Sequence, residues 1–165
     1  MKNVLTIMLL MVTCFVYAQK LPSEPANGFS FPIGSKFTIE LVPIDSVNYN
    51  YSVISYKPYR KIIDVFENDK LFKKKGKDNT IVFYFCLATR GKTKEEKEKN
   101  MKVLLVMRNY SKVALNYTSE IQRKEGGEFE NTSNVGLHPN AIGTSTEMWT
   151  YMIFSIGLSD FKKQE

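Results

Sequence analysis

Histidine and cysteine are nearly absent. The chain of 165 residues has one histidine, His138, and two cysteines, Cys14 and Cys86. That stock cannot build a zinc cluster, whose ligands come mainly from those two residue types. No Asp-x-Asp-x-Asp array offers a calcium loop. Also missing are a Gly-x-Ser-x-Gly elbow, a phosphate-cradling glycine loop and a His-Glu-x-x-His pair. No metal ligand, cofactor or catalytic residue is therefore assigned from the residues. Internal repeats and long segments of helical period are absent as well.

One long hydrophobic run is present, and it stands at the start. Lys2 supplies a positive charge, Val4 to Ala18 is apolar apart from Thr6 and Thr13, and Val16-Tyr17-Ala18 resembles a cleavage site. A membrane span needs about 20 apolar residues; this run is shorter and gives way at once to Gln19-Lys20. Residues 1–18 are therefore read as a cleaved signal peptide, and the protein as exported to the periplasm or the cell surface. Thr13 before Cys14, with Phe15 and Val16 after it, makes a poor lipidation site.

The mature chain would keep 147 residues, 22 basic against 17 acidic, a net charge of +5. That is one ordinary domain with a moderate basic excess, suited to an acidic partner. Only Cys86 remains, so no internal disulfide forms. It sits in the apolar stretch Thr80 to Ala88 and is expected to be a buried core thiol.

Residues 19–35 carry Pro22, Pro25, Gly28, Pro32 and Gly34 and read as a linker or N-terminal arm. Phe29, Phe31 and Ile33 alternate within it, as a segment tucked onto a core would. From Lys36 onward the pattern has period 2. Phe37, Ile39 and Leu41 share a face; Tyr49, Tyr51 and Val53 share another. Thr80 to Ala88 and Met101 to Met107 are apolar on both faces, the mark of central strands. Val113 to Ile121 alternates, Gly126-Gly127 is a turn, and Glu147 to Ile156, or onward to Phe161, is the last strand. Lys92 to Lys102 has helix-favouring composition without an apolar stripe and reads as a solvated loop, with room for a helical turn, joining two core strands. Eight or nine strands with turns between them predict an all-β domain over residues 36–165, an antiparallel β-sandwich of immunoglobulin-like or jelly-roll type.

Two groups of residues are candidate ligand contacts. Lys73, Lys74 and Lys75, followed by Gly76-Lys77, form a basic patch suited to an acidic envelope polymer such as lipopolysaccharide, or else a lysine-defended edge. Nucleic acid is not expected as a partner, because the protein is exported and no stacking platform accompanies the run. Tyr49 and Tyr51 lie beside asparagines, and an exposed row of that kind stacks on sugars or grips a protein. Trp149 and Tyr151 share a face expected to be buried. Asp45, Asp64, Glu120, Glu130 and Glu147 are the carboxylates from which a hydrolytic pair would have to come. Asn109, Asn116 and Asn131 match the N-glycosylation pattern, and Asp45-Ser46-Val47 matches a short O-glycosylation pattern.

The leader ending Phe15-Val16-Tyr17-Ala18-Gln19 resembles those of exported proteins from Gram-negative bacteria of the Bacteroidetes type. Leu115-Asn116-Tyr117, Phe129 to Ser133, Leu137-His138-Pro139 and Glu147-Met148-Trp149 resemble segments of small uncharacterised secreted β-proteins from such bacteria. The resemblance implies a periplasmic or envelope β-sandwich and brings no activity. The expected function is thus that of an exported binding protein whose partner is an envelope protein or glycan. No mature transmembrane segment is expected, which leaves membrane contact open. The alternative is a small envelope or glycan hydrolase using a carboxylate pair.

Overall fold

A computed structural model describes residues 24–139 and 143–164. The expected signal peptide and the first part of the expected arm lie outside those residues. Among the described residues the chain forms ten strands: β1 (Gly28–Pro32), β2 (Ser35–Pro43), β3 (Asn48–Pro58), β4 (Ile63–Asp64), β5 (Thr80–Thr89), β6 (Lys102–Asn109), β7 (Leu115–Gln122), β8 (Phe129–Thr132), β9 (Ser145–Trp149) and β10 (Ser155–Lys163). A helix, α1 (Lys94–Lys99), joins β5 to β6. No described helix is long and apolar enough to cross a membrane. The all-β, antiparallel expectation holds; among the described strand pairs only the short β4–β5 one is parallel.

Hydrogen bonds link the strands into one sheet of order β8-β7-β10-β3-β2-β5-β6-β9, with β1 added to β10 and β4 to β5. The sheet curls. Laid flat, β9 and β10 would be five strand spacings apart, about 24 Å. The six steps from Trp149 to Ser155 reach at most about 22 Å, and the two ends in fact meet. Trp149 Nε1 on β9 donates to Thr132 Oγ1 on β8 at 3.2 Å, and Tyr117 on β7 hydrogen-bonds Glu147 on β9. Side chains, not a backbone ladder, close this seam.

The curl wraps a single core. Phe37, Ile39 and Leu41 of β2 alternate into it with Tyr51 and Val53 of β3, Ile156, Leu158 and Phe161 of β10, and Leu115, Tyr117 and Ile121 of β7. The two-sided strands behave as their composition predicts. Ile81, Phe83 and Phe85 face the main core, while Tyr84, Cys86 and Ala88 face a second cluster outside the curl with Leu104 and Val106. Ile63, Phe72 and Leu71, from the connection between β3 and β5, cover that second cluster.

Several boundaries differ from expectation, each for a physical reason. Residues 28–32 are a strand of the sheet, not an arm: Phe31 is buried and stacks on Phe37 at 3.6 Å. Gly28 permits the pairing, since a Cβ there would lie 2.9 Å from Ser159 Cβ. The expected last strand is two strands, β9 and β10, separated by residues 150–154. Trp149 is buried as expected, but Tyr151 lies in that connection and is 40% exposed. The charged stretch at 92–102 does contain a helix. Thr93 and Glu96 form a reciprocal capping box, so local capping supplies what an apolar stripe does not.

Candidate functional site

Outside the curl, β2, β3 and β5 form the floor of a groove of about 450 Å³, walled by residues 71–77. Odd positions of β2 enter the core, so Lys36 and Thr38 point outward onto this floor. Cross-strand pairing then sets Lys36 directly opposite Lys57. Like charges directly opposite on neighbouring strands repel. Lys73, Lys75 and Lys77 come from the wall. Lys77 bonds Glu40 at 2.6 Å; among the described residues Lys36, Lys57, Lys73 and Lys75 take part in no salt bridge.

The wall is held in place. Tyr110 Oη donates to the Lys73 carbonyl at 2.6 Å, and Arg108 Nη1 reaches the same oxygen at 3.3 Å. Tyr84 Oη donates to the Leu71 carbonyl at 2.8 Å, and Thr80 Oγ1 to that of Lys77 at 2.6 Å. Gly76 lies flat on the Tyr110 ring, where a Cβ would come within 2.5 Å of Cγ. The lysines are thus carried on a backbone fixed from below, so binding has chiefly their side chains left to order.

Of the lysines expected from sequence, Lys73 and Lys75 line the groove and Lys74 does not. Lys36 and Lys57 were missed because each stands alone in an alternating strand, and only the β2–β3 register brings them together. The expected exposed tyrosine row does not form. Tyr51 has no exposed surface: its hydroxyl donates to the Leu158 carbonyl at 2.6 Å and accepts from Phe29 N–H at 2.8 Å. Its ring meets Phe29 and Phe161 edge-on, each at 5.2 Å. Tyr49 is half-buried against the same core. A tyrosine whose ring and hydroxyl are all engaged inside the sheet is a packing residue and is withdrawn as a ligand contact.

The candidate carboxylates disperse. Asp45 Oδ1 accepts from Val47 and Asn48 N–H, each at 2.7 Å, and Asp64 Oδ1 from Phe66 N–H at 2.8 Å. The Asn48 side-chain amide, which donates to Asp45 Oδ2 at 2.8 Å, together with those two backbone bonds holds the Asp45 carboxyl below its usual range; the backbone N–H groups of Phe66 and Glu67 do the same for Asp64, and both residues are thereby identified as turn-formers. Glu130 faces Arg123 at 3.8 Å. Glu147 alone is buried, 5% exposed, at the seam of the curl. Burial pushes its carboxyl up to about 7, with the Tyr117 hydroxyl and the Val135 N–H opposing the rise. Its Oε2 makes no hydrogen bond among the described residues. Cys86 is buried, which pushes its thiol up to about 12 and keeps it in the unreactive form. His138 is exposed between two isolated bridges. Among the described residues no group of three or more His, Cys, Asp or Glu side chains is placed to hold a metal ion.

No family model, curated protein or solved structure matches the chain.

Proposed function

We propose that this protein is an exported, non-catalytic binding module of the periplasm or cell surface, and that its lysine groove holds an anionic ligand of the cell envelope. The observation that carries this reading is the Lys36–Lys57 pair. Two like charges directly opposite one another, with no salt bridge to either among the described residues, cost stability that a bound anion returns. The leader-like first 18 residues and the resemblance to Bacteroidetes-type secreted proteins support export. The fold suits such a role. Its curl lays β7 and β8 over β6 and β9 with one core between, which supports reading it as a β-sandwich whose layers share one continuous sheet.

The hydrolase reading has less support. Burial, not a second carboxylate, is what raises Glu147; Asp45 and Asp64 serve turns, Glu130 pairs with Arg123, and Glu120 stands half-buried on β7.

Two measurements test the proposal. N-terminal sequencing of the protein recovered from the envelope fraction should begin at Gln19. On phosphocellulose, Lys36→Gln/Lys57→Gln should elute at lower salt than Lys74→Gln/Lys112→Gln, which removes equal charge outside the groove. Identical elution of the two variants refutes the groove as the anion site.

A further inference from the structure

We propose that the ligand of the lysine groove is a single-chain amphiphile bearing a phosphate headgroup, an inference that rests on the anion-binding reading above. Two features of the groove select this class.

The first is that its aromatic faces are already taken. Gly76 covers the Tyr110 ring. Lys36 Nζ sits 4.6 Å from the centre of the Tyr84 ring, which also meets Tyr59 and Phe72 edge-on. The Arg108 guanidinium lies 5.6 Å from the centre of Phe72. A sugar recognised by stacking needs a bare ring, whereas Phe72 and Tyr110 in the groove lining and the adjoining Tyr84 are all buried.

The second is that aliphatic surface lies among the charges. The β2–β3 register shifts between Thr38 and Ile39. The extra residue this inserts is Ile54, which is 40% exposed into the groove. A bulge of this kind re-aims a side chain. Val82 and Leu71, both half-buried, add further apolar surface to the lining. Lysines acting as point charges suit a phosphate, and the aliphatic strip suits an acyl chain. A walled groove of about 450 Å³ is of the size that holds one small ligand, and its concavity suits one molecule better than a flat lipid surface.

The test is calorimetric titration with octyl phosphate below its micellar concentration. Butyl phosphate, inorganic phosphate, octyl glucoside, polygalacturonate and anionic phospholipid vesicles serve as comparison probes. Octyl phosphate should bind at one site, about tenfold or more tighter than butyl phosphate, inorganic phosphate or octyl glucoside, since each buried methylene adds affinity. Lys36→Gln/Lys57→Gln and, separately, Ile54→Ser should each weaken it about tenfold, while Lys74→Gln leaves it unchanged. Equal affinity for octyl phosphate and inorganic phosphate overturns the amphiphile and leaves the anion site standing. Binding to polygalacturonate or to vesicles without binding to octyl phosphate overturns it in favour of a glycan or a membrane surface. If no anionic probe binds, the amphiphile and the anion-binding reading fail together.

Discussion

Glu147 makes the stability of this protein depend on pH in a direction opposite to that of most carboxylates. The side chain lies at the seam, 5% exposed, hydrogen-bonded to Tyr117 with Oε2 unpartnered. Burial raises its carboxyl from 4.5 to about 7. The folded state therefore holds the proton more tightly than the unfolded chain does. The resulting stabilisation is complete below about pH 4.5, declines as pH rises, and is gone above about pH 7, a total of about 3 kcal/mol. The hydrogen bonds accommodate both forms. Charged, the carboxylate accepts from Tyr117 Oη. Neutral, it can donate to Tyr117 Oη, whose proton then turns to Met107 Sδ, 3.3 Å away. Glu147→Gln mimics the neutral form and cannot ionise. Urea unfolding of both proteins at pH 5, 6, 7 and 8 should show the variant gaining on the parent by about 2.5 kcal/mol between pH 5 and 8, or roughly 5 to 10 °C in Tm. Parallel pH profiles for the two proteins refute the assignment, because a carboxyl that titrates alike in both states contributes no slope.

Two further substitutions probe the sheet and the groove wall. Tyr51→Phe keeps the ring but removes the hydroxyl that joins Phe29 N–H to the Leu158 carbonyl; a loss of about 1–3 kcal/mol in urea unfolding is expected, and a neutral result would mean that water replaces those bonds. Gly76→Ala drives a Cβ into the Tyr110 ring; it should cost about 1–3 kcal/mol and weaken retention on phosphocellulose by displacing Lys73 and Lys75, whereas unchanged retention would show that the wall does not place the lysines.

The strand pattern was legible because burial in a sheet imposes a period of two on one chain at a time. Phe37, Ile39 and Leu41 announce their face with no knowledge of a partner. Continuous apolar runs at Ile81 to Ala88 and Val103 to Met107 announce two covered faces. The buried thiol of Cys86 followed from the same run. Less legible was whatever depends on a partner strand. Proline and glycine around residues 28–32 read as a break, yet the segment completes the sheet because β10 offers it a full ladder. Trp149 and Tyr151 read as one face, yet a change of direction after Trp149 puts them in different surroundings.

Composition and periodicity by themselves determined the all-β class, the buried state of Cys86 and the basic balance, since each follows from residue types and their spacing. Only the tertiary structure decided that one sheet curls until Trp149 meets Thr132, that Tyr51 is interior, and that Glu147 is the buried acid among five candidates. It alone set Lys36 against Lys57, because the register that pairs them is fixed by the turn and the bulge of the β2–β3 hairpin, and a lysine's charge carries no record of what will stand across from it.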